Sequence, residues 1–500
     1  MTADLLNTDC LINVFQNLAL FDRIRLERVC CRWFNVLQMN ACYSNVTELN
    51  VADFLSTNSS NYYQQESLSF APTVVGIIRR CGCYIHSISF GQRWQKISQP
   101  IIDTIAAYCI RLRDLDLSCV ILNADISPLL ENVAENLEIF SLEETSWVRN
   151  EDGDKVQKYF HRMNKLRTLN VRRAMFNLDR LYELPSCLES IEMSGARKFP
   201  PELFNEFLAT HSNIKQLGLC PLPVWNALTL EYISNLPVLD DLQLGYIQSD
   251  SFDFPMQSLS LCVSLHSLHI QSCSALTAHS LHVMLEAMIN LQSLIIINCS
   301  NVIDYSALSL CRRLESLTIT DTIQLSDEDL IAVAAHGSLH SLTIRRCINI
   351  TNTSILAVLR NCTLSEITLV NCEGINDETM YSLAASQHII STIAVQGCCG
   401  VTSKGVAALA LLKHILSLRE LDVSHNRNID DMAILSIHNG LEMKRRQKAM
   451  KGRKETETNI AKYCTKEVTD TIPKLTIYVF KTSVSSLVEE RVNDLIILTN

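Results

Sequence analysis

Leu265-His266-Ser267-Leu268-His269-Ile270-Gln271-Ser272-Cys273 sets apolar residues at its first, fourth and sixth positions and ends on a cysteine. The same phrase returns as Leu291-Gln292-Ser293-Leu294-Ile295-Ile296-Ile297-Asn298-Cys299 and as Leu339-His340-Ser341-Leu342-Thr343-Ile344-Arg345-Arg346-Cys347. Taking the first leucine as a register mark, the marks are Leu112, Leu137, Leu166, Leu188, Ile214, Leu239, Leu265, Leu291, Leu314, Leu339, Leu364, Ile390 and Leu418. They are spaced 22 to 29 residues apart, so the leucines are periodic and not merely abundant. Weaker copies precede them at Val46–Val51 and Ile85–Phe90, and a last one follows at Ile472–Ile477.

A phrase at that period is the signature of a leucine-rich-repeat solenoid. Apolar residues at mark +3 and +5 alternate with period 2, so each phrase holds a short strand whose other face carries +2, +4 and +6. A helical stretch follows each strand. After Leu314 it runs Leu330-Ile331-Ala332-Val333-Ala334-Ala335, opened by Ser326 and Asp329 spaced as a capping box. The polar start recurs at Thr351, Asn376-Asp377, Thr402 and Asp430-Asp431. Strand then helix, repeated, predicts an α/β fold: one parallel sheet with outer helices. Strands stack at roughly 4.8 Å while helices need about 8–10 Å, so the sheet is expected to curve with its strands on the concave face.

Composition narrows the function. Apolar residues make up 47% of the 500, enough for an extended core. No apolar run is long enough for a membrane span, and the start, Met1-Thr2-Ala3-Asp4, has no signal-peptide pattern. Twenty cysteines in such a chain read as reduced intracellular thiols, in cytoplasm, nucleus or both. A net charge of −10 disfavours general nucleic-acid binding. Cys81-Gly82-Cys83 has the wrong spacing for half a zinc site. His279 and His282 lack the metalloprotease context, and no phosphate loop or nucleophile elbow is present. No cofactor, metal or catalytic residue is therefore expected.

Cysteine recurs at mark +8, as Cys273, Cys299, Cys347, Cys372 and Cys398, with Thr322 and Asn426 in its place elsewhere. This resembles the cysteine-containing class of leucine-rich repeats. The position needs a small residue able to bond to backbone where strand turns to helix. A metal or redox ladder is the competing reading.

Residues 5–37 hold two apolar stripes, Leu11, Val14, Phe15, Leu18 and then Leu26, Val29, Cys30, Trp33, Leu37, with a break at Ala19–Asp22 and a cap at Asn7 or Thr8. Leu6, Asp9, Val14-Phe15, Leu18 and Val29-Cys30-Cys31-Arg32-Trp33 resemble the F-box, a small all-α domain. The chain departs from that pattern at Asn7, where the family usually has proline. The resemblance implies a substrate receptor of Skp-cullin-F-box ubiquitin ligases. The N-terminal segment would bind the Skp adaptor, and through it the cullin and RING subunit, while the repeats hold a protein target. Carried over by position, Leu6, Leu11, Ile12, Phe15, Leu18, Ile24, Val29 and Trp33 are the candidates for adaptor contact or for shaping it. The alternative is a non-catalytic scaffold or inhibitor whose N-terminal helices only cap the array.

A target would meet the +2, +4 and +6 positions. These are small and uncharged in mid-chain. Eight acids, Asp114, Asp116, Glu143, Glu192, Asp241, Glu366, Glu420 and Asp422, stand there against Arg172 and Arg345, which favours a basic or neutral target. Ile295 and Ile297 are two apolar residues facing outward in one strand, a candidate hot spot. Arg172, Glu192, Asp241, His269, Ile295, Ile297, Arg345, Glu366 and Asp422 are the candidate target contacts. The organisation expected is an F-box at 1–45, degenerate first repeats at 46–111 and repeats at 112–440. A basic insertion or degenerate repeat, holding Lys444 to Lys454, follows at 441–471, and a terminal repeat or cap at 472–500.

Overall fold

The computed structural model describes residues 6–54, 70–91, 94–174, 176–196, 200–221, 226–247, 256–387, 389–459, 474–485, 487–492 and 494–499. The chain divides into two compact units, Met1–Leu244 and Gly245–Asn500.

The first unit opens with three short helices, α1 (Thr8–Gln16), α2 (Leu20–Leu26) and α3 (Cys31–Leu37). Asn7 caps α1 by accepting from the Cys10 N–H. The break expected at Ala19–Asp22 is shorter: Ala19 is the cap of α2 and Leu20 begins it. The second stripe is not one helix either, because Cys30 turns extended, its sulfur accepting from the Trp33 N–H, and separates α2 from α3. The repeats follow, with strands β1 (Glu48–Asn50), β2 (Ser87–Ser89), β3 (Gln95–Ser98), β4 (Asp114–Asp116), β5 (Val120–Asn123), β6 (Ile139–Ser141), β7 (Ser146–Trp147), β8 (Thr168–Asn170), β9 (Ser190–Glu192), β10 (Gln216–Leu219) and β11 (Asp241–Gly245). The main sheet is parallel in the order β1-β2-β4-β6-β8-β9-β10-β11. A 3-stranded parallel sheet, β3-β5-β7, lies between successive main strands in the chain and was not expected. It forms because Ile97, Val120, Leu122 and Trp147 bury apolar side chains from the turns that follow the strands.

The second unit runs β12 (Ser267–Gln271), β13 (Ser293–Ile297), β14 (Ser316–Thr320), β15 (Ser341–Arg345), β16 (Glu366–Val370), β17 (Thr392–Gln396), β18 (Glu420–Asp422), β19 (Leu475–Tyr478) and β20 (Ile496–Thr499), each parallel to the next. Strand β20 has no leucine phrase before it and was not expected. The basic run lies on a 29-residue helix, Asp431–Asn459, where Arg445, Arg446 and Lys448 are exposed. Residues 460–473, Ile472 among them, lie outside the described residues.

Register explains the core. Every +3 residue sits beside the next: Leu268, Leu294, Leu317, Leu342, Ile367, Ile393 and Leu421 form one row, all 0% exposed. In the first unit Ile88, Leu115, Phe140, Leu169, Ile191, Leu217 and Leu242 make the equivalent buried row. Each such side chain removes roughly 1.5–3 kcal/mol worth of apolar surface from water. The predicted capping box is present: Ser326 accepts from the Asp329 N–H and Asp329 from the Ser326 N–H.

Candidate functional site

The three N-terminal helices bury only one edge. Leu11 and Phe15 are each 1% exposed and face inward, with the Trp33 ring edge-on to Phe15 at 5.3 Å. Val14, placed on the inner stripe by its spacing, is instead 48% exposed, and Val29 is 58% exposed. Leu6, Ile12, Leu18, Ile24 and Trp33 are half-buried. The i and i+4 residues of α1 point into the bundle while i+3 turns to its shoulder. Among the adaptor candidates, Leu11 and Phe15 are therefore internal, whereas Val29 is open to a partner. Phe21, Phe34 and Met39 join Val14 and Val29 as exposed apolar residues of the same segment.

Charged side chains fasten this segment. Arg23 is 5% exposed, and its guanidinium donates to the carbonyls of Leu18 at 2.9 Å, Cys42 at 2.8 Å and Gln16 at 2.7 Å, and to Asn45 Oδ1 at 2.7 Å. Gln16 and Leu18 lie at the C-terminal end of α1, where a cation satisfies carbonyls that lack helical partners. Burial pulls the Arg23 pKa down from its ordinary value, and nearby Tyr43 and Cys42 oppose that. Glu27, at the end of α2, receives two bonds of 2.7 Å from Arg80 and one of 3.1 Å from the Tyr43 hydroxyl. Arg80 belongs to the helix Phe70–Cys81, so the pair ties the N-terminal helices to the first repeats. Neither Arg23 nor the Glu27–Arg80 pair carries a signal in the sequence, because the partners are 53 positions apart in the second case.

In each unit the +2, +4 and +6 side chains line the strand face opposite the core. On the second unit, Ile295 and Ile297 are half-buried, aligned with His269 and Gln271 on one side and with Thr318 and Thr320 on the other. Arg345 and Glu366 are exposed. Asp422 accepts from the Ser424 N–H at 2.9 Å and from Gln396.

On the first unit the face is acidic and dips. An open depression of about 270 Å³ is lined by Glu143, Asn170, Arg172, Glu192, Gln216, Gly218, Asp241 and Gln243, among others. Arg172 stands 3.5 Å from Glu143, which also accepts from Asn170 at 3.1 Å. Glu192 accepts from the Ser194 N–H at 2.8 Å through Oε1. Its other oxygen lies 1.9 Å from where a Cβ on Gly218 would stand, so a side chain there would displace the carboxylate. Asp114 has its carboxyl held above the ordinary value by burial, with Asp116 and Glu48 adding to the effect against a bond from Ser87.

The recurring cysteines are donors. Cys299, Cys347, Cys372 and Cys398 each point Sγ at their own +6 carbonyl, 3.4–3.6 Å away, and at the +5 carbonyl of the preceding strand. Asn426 bonds to the corresponding Val395 carbonyl. Burial pushes the thiols of Cys347 and Cys398 up to about 12, so they stay protonated and able to donate. Just before them, mark +7 adopts a left-handed backbone at Ser272, Asn298, Asp321, Arg346, Asn371 and His425. This lets the chain turn while its N–H still bonds to the next strand, as Ser272 does to Ile297 at 2.8 Å. Asn349, within a glycosylation triplet, spends its amide on the Ile323 carbonyl at 2.6 Å. Among the described residues no three His, Cys, Asp or Glu are grouped to hold a metal ion, and no helix is long and apolar enough to cross a membrane.

No protein-family profile matches the chain, and no curated protein matches it. Solved structures do. Rad7, in its complex with Elc1 from yeast, is 15% identical, with 70% of this chain and 88% of that chain covered and a TM-score of 0.50. An internalin from Listeria monocytogenes is 15% identical over 73% of this chain and 92% of its own, with a TM-score of 0.37. A leucine-rich-repeat protein from Leptospira interrogans is 11% identical over 73% and 96%, with a TM-score of 0.37. The fold is of the leucine-rich-repeat class. At these identities the likeness is one of fold alone.

Proposed function

We propose that the chain is the target-recognition subunit of a Skp-cullin-F-box ubiquitin ligase. The observation that carries the reading is the N-terminal segment. Val14, Phe21, Val29, Phe34 and Met39 remain exposed on helices held together through Arg23 and fastened to the first repeats through Glu27–Arg80. An exposed apolar set on fastened helices is what an adaptor-binding element presents, and the F-box-like pattern of these residues names the adaptor. Rad7, of the same fold, occurs in a complex with another protein, Elc1, which is the kind of partnership proposed. The chain needs no catalytic residue for this role. Holding a target beside the conjugating machinery raises its effective concentration and orients its lysines.

The test is co-purification of the full chain with the Skp adaptor, against Val14→Glu and Val29→Glu variants. Stoichiometric capture by the full chain, lost in variants that keep their thermal unfolding midpoint, supports the reading. A folded chain that captures no adaptor overturns it and leaves a free-standing scaffold.

A further inference from the structure

The helix Asp431–Asn459 is anchored through its first turns. Ala433, Ile434, Ile437 and Leu441 are buried, packed against the helix Ser403–Ala408 and the turns Leu409–Leu411 and Ile415–Ser417. His438 bonds to Asp494 at 2.8 Å. Gly440 lies so close to the repeat that a Cβ there would stand 2.8 Å from the Ala410 carbonyl oxygen. Past Leu441 little of the helix is covered. Met443, Arg445, Arg446, Gln447, Lys448, Ala449 and Met450 are exposed, and Lys444 is half-buried.

Two features of that stretch point to one kind of guest. The first is apolar. Met432, Met443 and Met450 are 50%, 61% and 65% exposed. Spacings of 11 and 7 residues bring them onto one line along the helix. Methionine at helical spacing is ordinarily core, yet here it stands in water, a flexible side chain able to fit a partner's apolar surface. The second feature is charge. Lys444, Arg445, Arg446 and Lys448 stand round the same turns, and Lys451, Arg453 and Lys454 follow on the helix, with no acid among them. Glu442, just before the run, accepts from Arg446. Lys444, Arg445 and Lys448 have no ion pair among the described residues. Lys444 and Lys448 sit four positions apart, so their like charges repel within the helix. In a chain of net charge −10 this concentration of cations runs against the composition.

We propose that this stretch is a docking helix for an acidic helix-binding protein, one that offers an apolar groove with a carboxylate rim. Met443 and Met450 enter the groove. Lys444, Arg445 and Lys448 meet the rim, where opposite charge also relieves their mutual repulsion. A nucleic-acid duplex would use the cations and leave the methionines in water. A bilayer surface needs a broader apolar face than a line of methionines supplies. This role is separate from the ligase role proposed above: the adaptor candidates lie in the first unit and the docking helix in the second.

The test is fluorescence anisotropy of labelled calmodulin titrated with the full chain. Calmodulin serves as the probe because its methionine-rich grooves open on binding calcium. Binding in calcium is expected to be at least about tenfold tighter than with the calcium chelated, a difference of about 1.4 kcal/mol. Met443→Ser combined with Met450→Ser should weaken it by a similar factor. So should Lys444→Gln, Arg445→Gln and Lys448→Gln together, while circular dichroism and the unfolding midpoint hold. The charge-matched set Arg312→Gln, Arg360→Gln and Lys404→Gln, exposed on the repeats, leaves binding in place. Hydrogen exchange at residues 443–450 should slow in the complex. No binding in calcium overturns the proposal, as does binding indifferent to calcium or to the methionine pair, or equal loss in the charge-matched set. Tighter binding to a DNA duplex or a polyglutamate peptide than to calmodulin overturns it too, because charge alone then accounts for the stretch.

Discussion

The two units build the same interior and part company everywhere else. In both, +3 and +5 side chains stack in buried rows. In the second unit the turns after β13, β15, β16, β17 and β18 each carry a cysteine or asparagine bonded to two carbonyls, and helix after helix opens on a Thr, Ser or Asn cap. In the first unit the same +8 position holds Val120, Thr145, Ala174 and Ala196. Only Thr145 among these donates to the preceding strand, its hydroxyl reaching the Leu117 carbonyl at 2.7 Å. The faces differ too: hydroxyls and isoleucines fill the middle of the second unit's face, with Arg345, Glu366, Glu420 and Asp422 toward its end, whereas carboxylates and Gly218 mark the first. Stacking constrains what points inward, because a buried row tolerates neither gaps nor charges. It leaves the outward row free, and that is where a partner can be read.

The largest effects are expected in the buried rows that both units share. Leu217→Ala in the first unit and Leu294→Ala in the second should each cost about 2–5 kcal/mol, through lost burial and a cavity. Ser293→Ala, on the outward row beside Leu294, should change stability by less than about 0.5 kcal/mol. Denaturant unfolding that shows small, equal losses at Leu294 and Ser293 would mean the inward and outward rows are misassigned.

A smaller effect sharpens the contrast in helix starts. Asp327 accepts from the Thr351 N–H at 2.9 Å, from the Thr351 hydroxyl and from the Ser354 hydroxyl at 2.5 Å, joining one repeat's helix to the next. Asp327→Ala should cost about 1–2 kcal/mol by orphaning those donors. Burial alone would raise the Asp327 pKa, but the bonds from Ser354 and Thr351 outweigh it and hold the carboxyl below its ordinary value. A depressed folded value means the stabilisation is full above about pH 4, the unfolded carboxyl range. It disappears as pH falls through the folded pKa. An acid titration of the variant should therefore lack the part of the low-pH loss seen in the parent. An identical acid profile for the two would refute the linkage.

The smallest effect has the opposite sign. Asp114 is raised by burial and by Asp116 and Glu48. Its contribution is full below the unfolded value and lost as pH rises through the folded one. Asp114→Asn should accordingly stabilise the protein at pH 7 by a few tenths of a kcal/mol, the scale of a like-charge pair across strands. A loss of stability on that substitution would show that the acidic face is compensated within the chain.

The leucine phrase made the repeats legible because its period is enforced at every strand. Ser326 and Asp329 were readable as a capping box for a similar reason: both partners lie within one turn. The inner stripe of α1 was only half readable. Leu11, Val14, Phe15 and Leu18 share a spacing, yet only Leu11 and Phe15 are buried, since a small bundle has room for a narrow seam. The β3-β5-β7 sheet went unread because its strands are short and sit where a turn was expected. Strand β20 went unread because it lacks the leucine that marks the others. The left-handed residue at +7 left a faint trace in Asn298, Asn371 and Gly397, which tolerate that backbone. Arg346 and His425 at the same position hid it.

The sequence by itself determined the repeat, its inward rows, the caps and the excess of acid on the outward row, since each depends on residues close in the chain or on a fixed period. Only the tertiary structure decided that Arg23 is buried among carbonyls and that Glu27 is clasped by Arg80. It also decided that Val14 and Val29 face outward and that Glu192 leans over Gly218. Those facts depend on which distant segments meet, and contact between positions 53 apart leaves no local pattern in the chain.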